Sequence, residues 1–144
     1  MHSEINIEKD FKKWCKIKIK LEKLNDKHFP KVWDIRNCYF WKNLSWEQNW
    51  NEKNNFYRSV LVIKSFQNIW NIIVLPLTKS KKPNYISYFL KKETYKYLKL
   101  DSYILLDKVK VISNKRLEWW KPLWKISEIE LKKIVNKFNN LFTI

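Results

Sequence analysis

The chain is 144 residues long, which is enough for one domain with a sizeable core and too short for two. Its 30 Lys and Arg against 14 Asp and Glu give a formal charge of +16, which favours a polyanionic partner such as nucleic acid, although scattered lysines are equally typical of a solvated face. Residues 1–13 lack the apolar core of a secretory signal, and no apolar run approaches the roughly 20 residues that span a bilayer. We therefore expect a cytoplasmic protein without a membrane segment.

The N-terminal segment has helical periodicity. Between residues 6 and 25 the apolar positions recur at three- and four-residue spacing, and these are Phe11, Trp14, Ile17, Leu21 and Leu24. Pro30 follows and ends the segment. We predict an N-terminal helical extension over residues 1–29 and one further domain over residues 30–144.

The middle of the chain has the pattern of short strands. Apolar, largely β-branched runs at residues 58–64, 69–75, 85–90 and 103–112 have strand length, and polar stretches separate them. Strands at this spacing predict a small β-barrel, so the expected fold class is mainly β with helices (α+β).

The C-terminal segment has the clearest local signal. Ser127 and Glu130 have the spacing of a capping box, which precedes apolar residues at helical spacing. This pattern predicts a helix from residue 128 to about 141 that packs on the barrel.

The composition contains an anomaly that bears on the turns. Glycine is absent and tryptophan occurs nine times, whereas average usage near 7% predicts roughly ten glycines in a chain of this length. Turns with positive φ normally use glycine because it has no Cβ. A genome poor in G and C explains the abundant Lys, Asn and Ile, but it does not explain the excess of Trp.

Five segments carry a resemblance to a known family, in consistent order. They are WDI at 33–35, WKNLSWEQNW at 41–50, FYRSVLVI at 56–63, VLPLT at 74–78, and SYILLDKVK with KRL at 102–117. In that order they resemble the G-D-I, G-x-N-x-G-x-E-Q-x-G, F-x-R-P-V-L-V-I, P-L-T and S-x-x-x-L-x-D-Q-V-K elements of the MazF/PemK toxins. The resemblance implies an SH3-like or MazF-like β-barrel with a C-terminal helix.

The resemblance also implies a function. Members of this family are toxins of type II toxin-antitoxin systems that cleave single-stranded RNA without metal or cofactor and leave a 2′,3′-cyclic phosphate. It further implies a homodimer that an acidic antitoxin neutralises. In this comparison Trp33, Trp41, Trp50 and Trp124 stand where the family uses glycine. Either UGA codons that the source reads as Gly have been translated as Trp, or the chain is a Trp-rich variant.

The resemblance assigns the chemistry to a few residues. Arg58, at the start of a strand, is expected to hold phosphate oxygens with its planar fork and to stabilise the phosphorane. Thr78, at the end of the next strand, is expected to bond the 2′-OH or a phosphate oxygen. Glu47 and Gln48 would orient the substrate from a loop, where Glu47 could act as base, and Asp107 would position Arg58 or the nucleobase.

Substrate affinity is expected from a basic loop, which contains Lys79, Lys81 and Lys82. Tyr85 and Tyr88 follow this loop and can stack exposed bases. The loop is as compatible with a plain solvated surface as with a binding site.

Other interpretations remain open. The same barrel could bind nucleic acid or a gyrase without cutting, as related toxins do, or it could be a degenerate toxin. A His-pair ribonuclease is disfavoured because His2 and His28 lie outside the predicted barrel, and no carboxylate pair or His cluster has metal-ligand spacing. Arg58 and Thr78 discriminate, because a protein that only binds does not need both at one groove.

Overall fold

A computed structural model of the chain describes residues 4–24, 29–39, 57–95, 98, 100–117 and 124–143. Within these ranges the elements are α1 (Glu4–Glu22), β1 (Asp34–Tyr39), β2 (Tyr57–Phe66), β3 (Asn71–Thr78), β4 (Ser87–Leu90), β5 (Ser102–Leu105), β6 (Lys110–Ser113), β7 (Trp124–Lys125) and α2 (Glu128–Leu141). The strands form one antiparallel sheet in the order β4-β5-β3-β2-β1-β7, and β6 also pairs with β3. The sheet curls into a half-barrel, with one helix before it and one after it in the chain, which confirms the predicted α+β class.

The predicted N-terminal helix is present as α1, and one aromatic side chain anchors it. Trp14 is buried, and the guanidinium of Arg116 lies 5.4 Å from the centre of its ring. Lys115 Nζ also donates a hydrogen bond to the carbonyl of Glu22 at 3.0 Å. Helix α1 therefore rests on the short 3-10 turn Asn114–Arg116 that follows β6. No helix in the described ranges is long and apolar enough to cross a membrane.

The predicted C-terminal helix is confirmed as α2, and its start has the expected cap. The hydroxyl of Ser127 accepts a hydrogen bond from the backbone N–H of Glu130 at 3.2 Å, which satisfies one of the amides that a helix start leaves unpaired. Leu131 and Ile134 of this helix are buried in the main core. The cap fixes where the helix begins, and the two apolar residues hold it against the sheet.

The prediction of one strand over residues 103–112 is wrong, because the segment forms two strands. β5 pairs with the end of β3, with Leu77 opposite Ile104, whereas β6 pairs with its beginning, with Val74 opposite Lys110. The intervening 3-10 turn, Leu106–Lys108, shifts the register by its own three residues. The interruption includes Asp107 and Lys108, and the apolar residues on both sides of them led to the prediction of one continuous strand.

The sheet carries a cluster of buried side chains on each face. One cluster includes residues of α2 together with Ile35, Leu61, Leu75, Leu77 and Ile104. The other consists of Cys38, Val60, Val62, Ile72, Val74, Ile112 and Leu117. Burial raises the pKa of the Cys38 thiol, so this group stays protonated at neutral pH, and neither cysteine is in a disulfide.

Candidate active site

The predicted residues Arg58 and Thr78 lie side by side on adjacent strands. β2 and β3 are paired as far as Val60 opposite Pro76, and Arg58 and Thr78 are the residues two positions beyond this last pair on their strands. The Nε–H of Arg58 donates a hydrogen bond to the carbonyl oxygen of Leu77 at 3.1 Å. The arginine side chain is therefore held directly beside the residue that precedes Thr78.

The environment of Arg58 affects its charge. The side chain is half-buried, and this burial lowers the pKa of Arg58 to about 10. At that value the guanidinium is still charged at neutral pH. A charge that is partly withdrawn from water interacts more strongly with an anion than a fully hydrated one does.

Thr78 is half-buried at the end of β3, and its hydroxyl has a defined orientation. Its Oγ1 accepts a hydrogen bond from the backbone N–H of Ser80 at 3.2 Å. A hydroxyl that accepts one bond can still donate its own hydrogen. The loop that follows places Lys79 and Lys81 at the surface, whereas Lys82 is half-buried.

Two aromatic residues extend the line that Arg58 and Thr78 begin. Thr78 is directly opposite Tyr103 of β5, and Tyr103 is directly opposite Phe89 of β4. Directly opposed residues of antiparallel strands project from the same face of a sheet. The four residues therefore form one row across β2, β3, β5 and β4, which we call the site row: Arg58, Thr78, Tyr103 and Phe89.

Further cations lie near the Arg58 end of the site row. Cys38 of β1 is directly opposite Arg58, and the positive charges of Arg116 and Lys110 are close enough to act on the Cys38 thiol. Arg116 and Lys110 thus add positive charge in the neighbourhood of Cys38, and positive charge near a site favours the binding of phosphate groups.

Two of the predicted residues lie elsewhere or have another partner. Tyr88 projects from the opposite face of β4, where its hydroxyl donates a hydrogen bond to Oε2 of Glu130 in α2. Tyr88 is thus part of the helix–sheet contact and does not lie on the site row.

Asp107 lies in the 3-10 turn after β5, with Oδ2 at 3.5 Å from Nζ of Lys108. Glu47 and Gln48 lie outside the described residues.

Sequence reasoning missed the aromatic half of the row. Phe89 and Tyr103 belong to runs that the sequence marks as strands, but only strand pairing shows that they are neighbours of Thr78. Their rings are 5.1 Å apart between centroids. Among the described residues, no group of three or more His, Cys, Asp and Glu side chains is arranged as a metal site.

Residues 39–142 match the family described as PemK-like, MazF-like toxin of type II toxin-antitoxin system. The chain belongs to this family. The matched range contains the whole site row and α2, whereas α1 lies before it. Of the sequence elements that suggested MazF/PemK toxins, residues 57–63 lie in β2 and residues 74–78 in β3, the two strands that carry Arg58 and Thr78.

Solved structures of MazF/PemK-type toxins share this fold. MazF (Form-I) from Deinococcus radiodurans has 16% identity and a TM-score of 0.62, with 81% of this chain and 99% of that chain covered. Toxin MazF-mt6 of Mycobacterium tuberculosis has 13% identity and a TM-score of 0.56, over 76% of this chain and 95% of that one. A mycobacterial endoribonuclease in complex with its cognate antitoxin has 11% identity and a TM-score of 0.54, with 78% of this chain and 94% of that chain covered. No curated protein matches the chain.

Proposed function

We propose that this chain is the toxin of a type II toxin-antitoxin pair and that it cleaves single-stranded RNA without a metal ion, leaving a 2′,3′-cyclic phosphate. The observation that supports the proposal is that Arg58 reaches from β2 to the carbonyl oxygen of Leu77, the residue directly before Thr78 on the neighbouring strand β3. Family membership supports the toxin role, and the two side chains supply groups that phosphodiester cleavage requires.

The reaction requires three kinds of help. The 2′-oxygen attacks the adjacent phosphorus as its proton leaves, the pentavalent phosphorane gathers negative charge, and the departing 5′-oxygen takes up a proton. The fixed cation of Arg58 stabilises the phosphorane, because its planar fork can donate to two phosphate oxygens at once. The Thr78 hydroxyl orients the 2′-OH or a phosphate oxygen. Glu47 orients the substrate or acts as base, and Asp107 positions Arg58 or the nucleobase, as the resemblance implies.

The proposal includes the partners of the toxin. With a formal charge of +16 the chain suits an acidic antitoxin laid across the basic surface, and one of the structural neighbours is described in complex with its cognate antitoxin. The substrate is single-stranded RNA, bound by Lys79, Lys81, Lys82 and Gln48 as well as by the site row. We expect a homodimer in the cytoplasm.

The test is cleavage of a long single-stranded RNA in excess EDTA. We expect the wild type to cut and to leave cyclic phosphate and 5′-hydroxyl ends, and Arg58→Ala to lose about 100- to 1,000-fold in rate, which is the usual effect of removing one group that stabilises transition-state charge. Lys91→Ala, which removes an exposed cation after β4, is the matched control and should cut at the wild-type rate.

Two results would contradict the proposal. Equal cleavage by the wild type and by Arg58→Ala would remove the arginine from the mechanism. Intact RNA that is nevertheless bound tightly by the wild type would favour the alternative function, a barrel that binds nucleic acid or a gyrase without cutting.

A further inference from the structure

The aromatic pair of the site row is exposed although it lies within paired strands. Phe89 is 39% exposed, whereas its neighbour Leu90 is only 1% exposed. Tyr103 is half-buried, and its ring is tilted by 37° against that of Phe89. The two rings thus form a continuous apolar surface beside two groups suited to phosphate.

The position of the pair relative to Arg58 and Thr78 fits a nucleic-acid chain. Neighbouring strands lie about 4.8 Å apart, so Phe89 is roughly 10 Å from Thr78 along the row. A phosphate held by Arg58 and Thr78 would therefore have an adjoining nucleotide over Tyr103 and Phe89. Unpaired bases stack on aromatic side chains, whatever their identity, because every base has a π-face.

We infer that Phe89 and Tyr103 form a stacking platform for one RNA base next to the scissile phosphate. This inference rests on the proposed function, because it extends the substrate site of the same enzyme. The platform gives affinity for single strands with little discrimination between bases. It also positions the ribose, so that the 2′-oxygen is brought towards Thr78.

The test measures binding separately from cleavage. The probe is a fluorescent, mixed-sequence oligonucleotide with 2′-deoxyribose throughout, which lacks the attacking hydroxyl and cannot be cut by the proposed route. We expect Phe89→Leu, which keeps an apolar side chain but removes the ring, to raise Kd about 5- to 100-fold. Phe142→Leu is the matched control, because Phe142 is a 54% exposed aromatic residue at the C-terminal end of α2, outside the site row, and it should change Kd by less than about twofold.

An abasic scan adds a readout that a merely structural effect would not give. Replacement of one particular nucleotide of the probe by an abasic residue should weaken binding to the wild type. The same replacement should not weaken binding to Phe89→Leu further, because that variant has already lost the stacking contact with this base. If Phe89→Leu binds as tightly as the wild type, the platform is refuted even when RNA is cleaved. If Phe89→Leu loses affinity but the wild type never cleaves RNA, the platform stands and the proposed nuclease function fails.

An independent observation concerns the backbone at two tryptophans. Trp33 has a φ of 73° and is the third residue of a turn that the N–H of Asp34 closes on the carbonyl of Lys31 at 3.1 Å. The backbone of Trp33 is fixed on both sides, because its N–H donates to Val62 O at 2.8 Å and its carbonyl accepts from the N–H of Ile126 at 3.2 Å. Positive φ at the third residue of a turn is the position that most strongly favours glycine.

Trp70 has the same property in the connection between β2 and β3. Its φ is 59°, its N–H donates to the carbonyl of Gln67 at 3.4 Å, and its carbonyl accepts from the N–H of Asn114 at 3.1 Å. A left-handed residue after a tight turn is the usual place of glycine in a hairpin. Trp70 was not among the positions that the family comparison marked as glycine.

The two residues with positive φ in the described ranges are both tryptophan. Only a few per cent of residues other than glycine have positive φ, and Asn, Asp and His are the enriched types. Trp14 and Trp124 differ: Trp14 is buried within α1, and Trp124 is buried in β7 with its ring 5.0 Å from that of Tyr95. Left-handed geometry thus supports glycine at position 33 and adds position 70, but it does not apply to position 124.

We also propose that the protein made in its source organism carries glycine at positions 33 and 70, through UGA codons read as Gly. The direct test is peptide mass spectrometry of the protein from its source, together with the codons of its gene. Glycine at both positions, encoded by UGA, is expected, and a tryptophan at either position would overturn the proposal. Trp41 and Trp50 lie outside the described residues, and the same spectra would identify them.

A stability experiment tests the backbone argument on recombinant protein. Trp33→Gly should have a Tm about 2 to 8 °C above that of Trp33→Ala, and Trp70→Gly above that of Trp70→Ala, because glycine alone has no Cβ in the left-handed conformation. Both members of each pair lose the same ring, which packs on the core at Trp33 and stacks on Phe29 at Trp70. The matched control is the same pair at Trp14, where the backbone is helical and Gly should be less stable than Ala. Gly variants at positions 33 and 70 that are no more stable than the Ala variants would overturn the backbone argument.

Discussion

Strands β3, β4 and β5 present alternate residues to two very different surfaces. On one face Leu77, Ile104 and Tyr88 meet α2, and Leu77 and Ile104 are buried. On the other face Thr78, Tyr103 and Phe89 remain at least partly open to solvent. Alternate residues of the same three strands therefore build the core under α2 and the part of the site row beside Arg58.

The difference shows how the site depends on the core. The buried face fixes which residues are opposite each other, because a slip of one residue would move every apolar side chain to the wrong side. That register brings Thr78, Tyr103 and Phe89 into line. Thr78, Tyr103 and Phe89 themselves are not buried in either cluster, so they contribute less to stability and can be chosen for chemistry. The predictions below compare the two faces, beginning with the largest effect.

Ile104→Ala should cause the largest loss, because Ile104 is fully buried under α2. Removal of a buried Ile side chain typically lowers the free energy of unfolding by about 2 to 5 kcal/mol. Urea denaturation followed by circular dichroism measures the loss. A change below about 1 kcal/mol would mean that this face does not hold the register.

Tyr88→Phe should cause the next largest loss in the free energy of unfolding. It removes the hydrogen bond that the Tyr88 hydroxyl donates to Glu130, and loss of a hydrogen bond to a charged group costs about 1.5 to 3 kcal/mol. The partly exposed position puts the expected loss near the lower end of that range.

The same substitution carries a pH signature. Burial, and then the hydrogen bond to Glu130, raise the pKa of Tyr88 above its ordinary value. The folded protein thus holds this proton more tightly than the unfolded chain, so the contribution is complete below about pH 10, the ordinary tyrosine pKa, and decreases as the pH rises further. Denaturation curves of the two proteins should converge at high pH. A constant difference up to pH 11 would exclude this contact as its source.

Arg58→Met should stabilise the protein while it slows cleavage by about the same 100- to 1,000-fold as Arg58→Ala. Because burial lowers the pKa of Arg58 to about 10, the folded state holds this cation less favourably than the unfolded chain does at neutral pH. The lost hydrogen bond to Leu77 offsets part of this gain, so we expect a net gain of about 1 kcal/mol. The gain should shrink above pH 10. A clear loss of stability at pH 7 would mean that Arg58 is a structural residue.

Phe89→Leu should have the smallest effect on stability, within about 0.5 kcal/mol, because Phe89 lies on the open face. Thermal unfolding monitored by circular dichroism is sufficient to measure it. A loss similar to that of Ile104→Ala would show that the two faces do not differ as described.

The sequence was most informative where a local rule is decisive. The spacing of Ser127 and Glu130 located the start of α2, and the β-branched runs located β2 and β3. The resemblance selected Arg58 and Thr78, which the structure places side by side. These features depend on residues that are close in the chain or on motifs that keep their order.

The remaining features depend on strand pairing and were not accessible from the pattern. β5 and β6 were predicted as one strand because neither Gly nor Pro separates them and a single Asp-Lys pair is common in strands at a surface, whereas the two registers on β3 reveal the break at Leu106–Lys108. The contact between the rings of Phe89 and Tyr103 could not be predicted either, because it depends on the pairing of β4 with β5. The left-handed backbone at Trp70 arises from the hairpin geometry rather than from any local signal at that residue.

The closed environment of Cys38 has a practical consequence for studying assembly. A buried, protonated thiol does not react with maleimide or methanethiosulfonate reagents, whereas Cys15 lies half-buried on α1, so one position per chain can be labelled without mutagenesis. A nitroxide attached there would report a single inter-spin distance in a symmetric pair of subunits and no dipolar signal in an isolated subunit. A spin label on the native Cys15 thus measures whether the subunits pair and at what distance.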